Sequence, residues 1–432
     1  MRNSNYPALT WGLYLHFPFC ASKCFYCDFN SQVAPTAVRR QYLTALTREM
    51  AWVQPVALTP CSSVFWGGGT PTLYSTAELK YLGEALTRHF TIQPQVEWTV
   101  EANPGTLTAE KIQTLRRLGV NRLSLGVQSF DDSLLKIIGR SHSAAEAGNA
   151  VALAQKNGMA NLNLDLIYGL PGQSVASWRT TLEEALSLGV QHLSLYGLQL
   201  EAGTPLAAAV EAGELVLPTE DEELLMYYLG EELLSQAGYR HYEISNYALP
   251  GKECLHNLTY WTYNPYLGLG AGAFSCLDLI SFQGLYRPQP CLNNAPLDRS
   301  PLSYPGLSSE QEKTSSLTSG EDTILVRWGN IGDPVLYTEH WRQASTLALA
   351  EREEISPRLA QQESLMLAFR LLEGLSLEDY QSHFGSTLEE DFPGVVQELR
   401  GQGLLQQEGQ RLKLTSQGVI FNNRIGRAFV NC

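Results

Sequence analysis

The chain has 432 residues, enough for one large core and a second, smaller one, since single cores stop growing near ~250–300 residues. Its formal charge of -14 opposes binding to nucleic acid and to anionic membrane surfaces. The N-terminus lacks a basic-then-apolar leader pattern and no apolar run reaches the ~18–20 residues of a bilayer span, so the expectation is a cytoplasmic protein without an integral membrane segment, peripheral contact aside.

Short β-branched or apolar runs alternate with helical patterns through the first half. Candidate strands lie at 13–16, 63–66, 97–100, 122–127, 163–167 and 192–196. One helix is marked between them by Val38, Tyr42, Leu43, Leu46 and Met50, and another by an N-cap at Thr108 and a stop at Gly119. Six βα units predict a parallel sheet and an α/β fold, a partial (β/α)6 TIM-like barrel over 1–205. A barrel extension follows at 206–276, with a helix at 221–236 and a Tyr- and Asn-rich segment at 239–261. The stretch 277–325, rich in Pro, Ser, Gln and Asn, reads as an insertion. Residues 326–432 form an accessory domain whose last part, helix then 404–407, a Glu408-Gly409 turn, 411–414 and a helix capped by Thr415, has the order of a winged helix.

In such sheets ligands sit at the carboxyl ends of the strands. Five segments bring chemistry there: Cys20, Cys24 and Cys27 after the first strand, Gly67-Gly68-Gly69-Thr70-Pro71 after the second, Glu101 and Asn103 after the third, Gln128 at the end of the fourth, Asp165 near the end of the fifth. Three of the eight cysteines crowd into 20–27, which in a reducing compartment points to metal ligation. Three thiolates suit three irons of a [4Fe–4S] cluster and leave one iron open. The alternative, structural zinc, needs four ligands and usually a second knuckle, and none is visible in the sequence.

C-x3-C-x2-C with these surroundings resembles the radical SAM (S-adenosylmethionine) superfamily, in its coproporphyrinogen-dehydrogenase-like branch of oxygen-independent coproporphyrinogen III oxidases and heme chaperones. The resemblance runs along nearly the whole chain, 277–322 being the main departure. It implies a radical SAM barrel with Cys20, Cys24 and Cys27 on the cluster and SAM on the fourth iron, where one electron cleaves the sulfonium to a 5′-deoxyadenosyl radical. The family's glycine motif falls on Gly68, Gly69 and Thr70, and its other SAM positions on Tyr14, Tyr26, Glu101, Gln128, Arg140 and Asp165. Glu101 and Asp165 suit ribose hydroxyls or an ammonium, and Arg140 suits the SAM carboxylate. Singly, each reads more readily as a structural ion pair, and it is the shared rim position that favours the site.

Two features choose within the branch. The oxidase has a further cysteine two positions past the third, where this chain has Phe29, and Cys27-Asp28-Phe29 is how the chaperone-like members read. His256-Asn257-Leu258-Thr259-Tyr260-Trp261 matches the H-N-x-x-Y-W motif associated with heme in those members, which implies His256 as an axial ligand and Tyr260 and Trp261 as flat apolar surface. Without the family, His256 reads as a hydrogen-bonded structural histidine. The implied function is heme delivery to respiratory or other heme proteins, with coproporphyrinogen III oxidation as the alternative. The implied partners are heme-accepting proteins, an electron or heme donor protein and a second copy in a homodimer. Arg411, Lys413, Arg424 and Arg427 give the winged-helix-like module too little positive charge for DNA.

Overall fold

A computed structural model describes residues 9–53, 60–285, 324–343 and 346–430. Six strands, β1 (Gly12–Phe17), β2 (Cys61–Gly68), β3 (Ile92–Ala102), β4 (Arg122–Gln128), β5 (Asn161–Tyr168) and β6 (His192–Gly197), lie side by side and parallel in chain order. They contain the six predicted runs and extend past them, β3 starting five residues earlier. Their alternation explains the architecture. Leu13, Leu15 and Phe17, Val64 and Trp66, Trp98 and Val100, Leu123 and Leu125, and Leu162 and Leu164 are all buried in one core with Tyr42, Leu46, Leu79 and Leu82 of the covering helices. The intervening positions, Tyr14, His16, Ser63, Glu97, Thr99, Glu101, Arg122, Ser124, Asn163, Asp165, His192 and Ser194, turn to the concave side, which is therefore largely polar, with Phe65 stacked among them on Tyr14.

The sheet continues past both ends of this set. β7 (Arg240–Glu243) and β8 (Asn246–Ala248) add antiparallel beside β6. On the other side β9 (Tyr266–Leu269) pairs parallel with β1, followed antiparallel by β10 (Phe274–Asp278), β11 (Leu325–Asn330) and β12 (Leu349–Ile355). The result is one twelve-stranded sheet, and among the described residues no pairing joins β7 to β12. The barrel is incomplete, as its six βα units predict. The Thr108 cap accepts from Lys111 N and Gly119 adopts φ 104°, the left-handed stop the sequence signals.

Two expectations meet a different arrangement. Residues 326–355, assigned from sequence to the accessory domain, extend the large sheet; β12 is a charged edge strand, Leu-Ala-Glu-Arg-Glu-Glu-Ile, with no apolar face to reveal it. β10 runs through Leu277 to Asp278 and the helix Leu279–Leu285 buries Phe282 and Leu285 in the main core, so the insertion begins later than 277. Its remainder, 286–323, lies outside the described residues. The small domain packs Leu365, Phe369, Phe392, Leu399, Leu412 and Phe429 around a sheet of β13 (Leu375–Ser376), β14 (Leu405–Glu408) and β15 (Arg411–Leu414). Its helix, hairpin and closing helices keep the winged-helix order. No helix among the described residues is long and apolar enough to cross a membrane.

Candidate functional site

The loop after β1 is fastened at both ends. Cys20 N donates to Gln32 O at 3.0 Å and Gln32 N to Pro18 O at 3.0 Å, while Lys23 Nζ reaches Phe29 O at 2.6 Å and Ser31 O at 3.0 Å. Phe25 N donates to Ile138 O at 3.0 Å, tying the loop to the segment that presents Arg140. Cys20, Cys24 and Cys27 are free, half-buried thiols on the wall of a cavity of about 390 Å³. Two donors point at their sulfurs: Thr70 Oγ1 lies 3.5 Å from Cys20 Sγ and Arg140 Nη1 3.2 Å from Cys24 Sγ. Such donors suit thiolates. Among the described residues no three His, Cys, Asp or Glu side chains converge on a single ion position.

The strand ends supply the rest of the cavity wall: Gly68, Gly69, Thr70, Glu101, Gln128 and Asp165, with Tyr26 and Arg140 from the loops. Glu101 Oε2 accepts from Gly68 N at 2.9 Å, and burial, then neighbouring Asp165, pushes its pKa up to about 8. Asp165 accepts from Asn163 Nδ2 at 2.8 Å and Ser124 Oγ at 3.1 Å, and burial likewise raises it. Two carboxyls whose charged forms burial disfavours thus face one cavity beside the thiol loop. Gln128 takes φ 70°, unusual for a non-glycine residue, at a bulge that ends β4.

The glycines are required for a reason the motif alone does not disclose. A Cβ on Gly69 would stand 2.5 Å from Phe17 O and 2.7 Å from Phe19 O, and one on Gly68 would stand 2.3 Å from the His16 ring, at φ 103°. They let β2 close onto β1 and the cysteine loop, and so hold the loop in place.

Some expectations shift. Arg140 Nη2 donates to Asn103 Oδ1 at 2.8 Å and to Gly126 O, so its guanidinium is already engaged with the cysteine loop and β3–β4. Tyr14 is not on the cavity wall; its hydroxyl is 2.9 Å from His16 Nδ1, one layer below. Tyr196 and Gln199 line the cavity and escaped the sequence reading, although Tyr196 continues the inward set His192, Ser194 of β6.

The heme-motif residues sit at the other end of the barrel. The helix Leu255–Trp261 lies across the strand beginnings: His256 Nδ1 is 2.9 Å from Ser63 Oγ, its backbone N donates to Glu97 Oε1 at 3.2 Å, and a Cβ on Gly12 would meet its ring at 3.2 Å. His256 is buried with Nε2 3.0 Å from the Tyr260 hydroxyl, and burial, then Arg122, lowers its pKa to about 3. It is neutral, as a ligand must be, but both nitrogens already have partners.

Residues 14–185 match the family model of the radical SAM superfamily, and 355–421 that of the HemN C-terminal domain. Fold and site thus define a radical SAM protein, a class that uses SAM and a [4Fe–4S] cluster. The chain is 32% identical over 418 residues to the heme chaperone HemW of Lactococcus lactis subsp. lactis (strain IL1403), covering 96% of each. It is 33% identical to that of Mycobacterium tuberculosis (strain ATCC 25618 / H37Rv), covering 98% of this chain and 96% of the relative. The structure of Escherichia coli coproporphyrinogen III oxidase (HemN) superposes with a TM-score of 0.76 over 99% of this chain and 91% of that one, at 21% identity, which shows the shared fold. On its full-length relatives, the chain belongs to the HemW family of radical SAM proteins.

Proposed function

We propose that this protein is a heme chaperone: it binds heme, passes it to heme-accepting proteins, and carries a SAM-liganded [4Fe–4S] cluster on Cys20, Cys24 and Cys27. The observation that carries this reading is identity along the whole chain to proteins named heme chaperones, together with Asp28-Phe29 where the oxidase has its additional cysteine. When bound, the cluster and SAM supply one-electron chemistry. The chain's part at that site is positional. Thr70 and Arg140 donate to the sulfurs, Gly68 and Gly69 hold the loop against β1, and Glu101, Gln128 and Asp165, with Tyr26 on the wall, offer acceptors and donors to SAM. Heme-accepting proteins, a donor of electrons or heme, and a second copy in a homodimer are the partners of this reading, and the cytoplasm its compartment.

The test runs coproporphyrinogen consumption and heme retention side by side on anaerobically reconstituted protein. Heme retention without protoporphyrinogen formation is the expected result. Formation of protoporphyrinogen would replace the chaperone by the oxidase.

A further inference from the structure

Below the cavity wall a run of hydrogen bonds passes through the barrel interior. Ser124 of β4, Asn163 of β5, His192 and Ser194 of β6 and Tyr242 of β7 are all buried there. Asn163 Nδ2 lies 2.8 Å from Asp165 Oδ1 and 2.7 Å from Ser124 Oγ. Its Oδ1 lies 2.6 Å from His192 Nδ1 and 3.2 Å from Ser194 Oγ. His192 Nε2 is 2.9 Å from the Tyr242 hydroxyl, which in turn accepts from Cys254 N at 3.2 Å.

The run has one direction. Cys254 N–H can only donate, so the Tyr242 oxygen accepts and its single proton goes to His192 Nε2. Burial, then Arg122, keeps the imidazole neutral, so its one proton sits on Nδ1 and is given to Asn163 Oδ1. That bond, with the one from Ser194, fixes which way round the Asn163 amide stands: oxygen toward His192, NH2 toward Ser124 and Asp165. A flipped amide would set its oxygen against the carboxylate. Ser124 Oγ passes its own proton to Asp165 Oδ2 at 3.1 Å. Both carboxylate oxygens therefore meet donors from below, and their remaining lone pairs are left to the cavity.

Resting on the SAM reading of this cavity, we infer that Asn163 and His192 are positioning residues for SAM, holding Asp165 in one orientation as an ionised acceptor. Neither is on the cavity wall, so both act through Asp165. Burial raises the Asp165 carboxyl, and the bonds from Ser194, Asn163 and Ser124 oppose that rise. The titratable and charged groups that face it are Glu101 of β3, Arg122 of β4, Tyr196 of β6 and Tyr26 of the cysteine loop, and substitutions at Asn163, His192 or Tyr242 leave all four in place.

The experiment measures SAM affinity by equilibrium dialysis with labelled SAM, from about pH 5 to about pH 9, on the anaerobically reconstituted parent, Asn163→Leu, His192→Phe and Tyr242→Phe. Cluster absorption and urea unfolding check that each variant is folded. Asn163→Leu and His192→Phe are each expected to weaken SAM by about tenfold or more near neutral pH, and Tyr242→Phe by about threefold. Each deficit should widen as pH falls and narrow as it rises, because an Asp165 short of donors takes up its proton at higher pH than the parent's does. If the first two variants do not fold, Tyr242→Phe decides, since it removes one oxygen and keeps the ring. No deficit in the folded variants, or one that is the same at every pH, overturns the inference. A parent that holds its cluster but binds no SAM overturns the reading of the cavity itself.

Discussion

Arg140 is the residue on which the cysteine loop and the strand ends meet. It donates to Cys24 Sγ, Asn103 Oδ1 and Gly126 O at once. Arg140→Met should weaken SAM binding to the reconstituted protein by about tenfold or more, since a charge-assisted hydrogen bond contributes ~1.5–3 kcal/mol; equilibrium dialysis with labelled SAM reads this, and unchanged affinity would remove Arg140 from the site. Glu101 gives a prediction in pH. Its folded pKa, about 8, lies above the ordinary carboxylate value, so the folded state binds the extra proton and loses stability as pH rises from about 4.5 through 8. The cavity admits solvent, which reduces the effect to roughly 1–3 kcal/mol. Urea unfolding of the SAM-free chain should therefore weaken over that range, and Glu101→Gln should flatten the slope. An equal slope in both proteins would contradict the assignment.

At the scale of elements, the helix Leu255–Trp261 is held to the barrel by Glu97, whose Oε1 accepts from His256 N and, at 3.5 Å, from Cys254 Sγ. Glu97 also sits beside the fully buried Arg122. Glu97→Ala leaves His256 N without its acceptor in a buried setting and should cost about 1–3 kcal/mol in urea unfolding, as an unsatisfied buried donor does; a loss below about 0.5 kcal/mol would show that the helix is held otherwise. The six parallel strands were legible because their apolar side alternates cleanly, Leu13, Leu15, Phe17 being the pattern in miniature. The flanking strands were not. β9 carries Gly268 and is followed by Gly270, where a Cβ would run into Phe274 O and the Tyr42 hydroxyl respectively, and β12 is an edge of charges, so neither displays a period a reader can follow. The C-terminal hairpin was readable from its Glu408-Gly409 turn, where Gly409 takes φ 60°.

Across the whole molecule, two regions of opposite character share one polar barrel. Cys20, Cys24 and Cys27 face strand ends lined by Glu101 and Asp165, and these were legible because each follows a recognisable strand. The layer beneath, Ser124, Asn163, His192 and Tyr242, carries hydrogen bonds from Asp165 down toward the motif helix and was silent in the sequence, since each residue is unremarkable until the barrel closes. A groove lined by Tyr260, Trp261 and Cys276 was half legible: the motif named two of its residues, but Cys276 arrives from a strand that only the fold brings alongside.

The most direct measurement of the account is heme titration of Cys24→Ser beside the parent chain, both reconstituted anaerobically. The account predicts loss of the [4Fe–4S] absorption and of SAM binding in the variant, with heme affinity within about threefold of the parent, because the cysteine loop and the helix Leu255–Trp261 lie at opposite ends of the strands. Cluster absorption retained in the variant, or heme affinity lost along with it, would contradict the account.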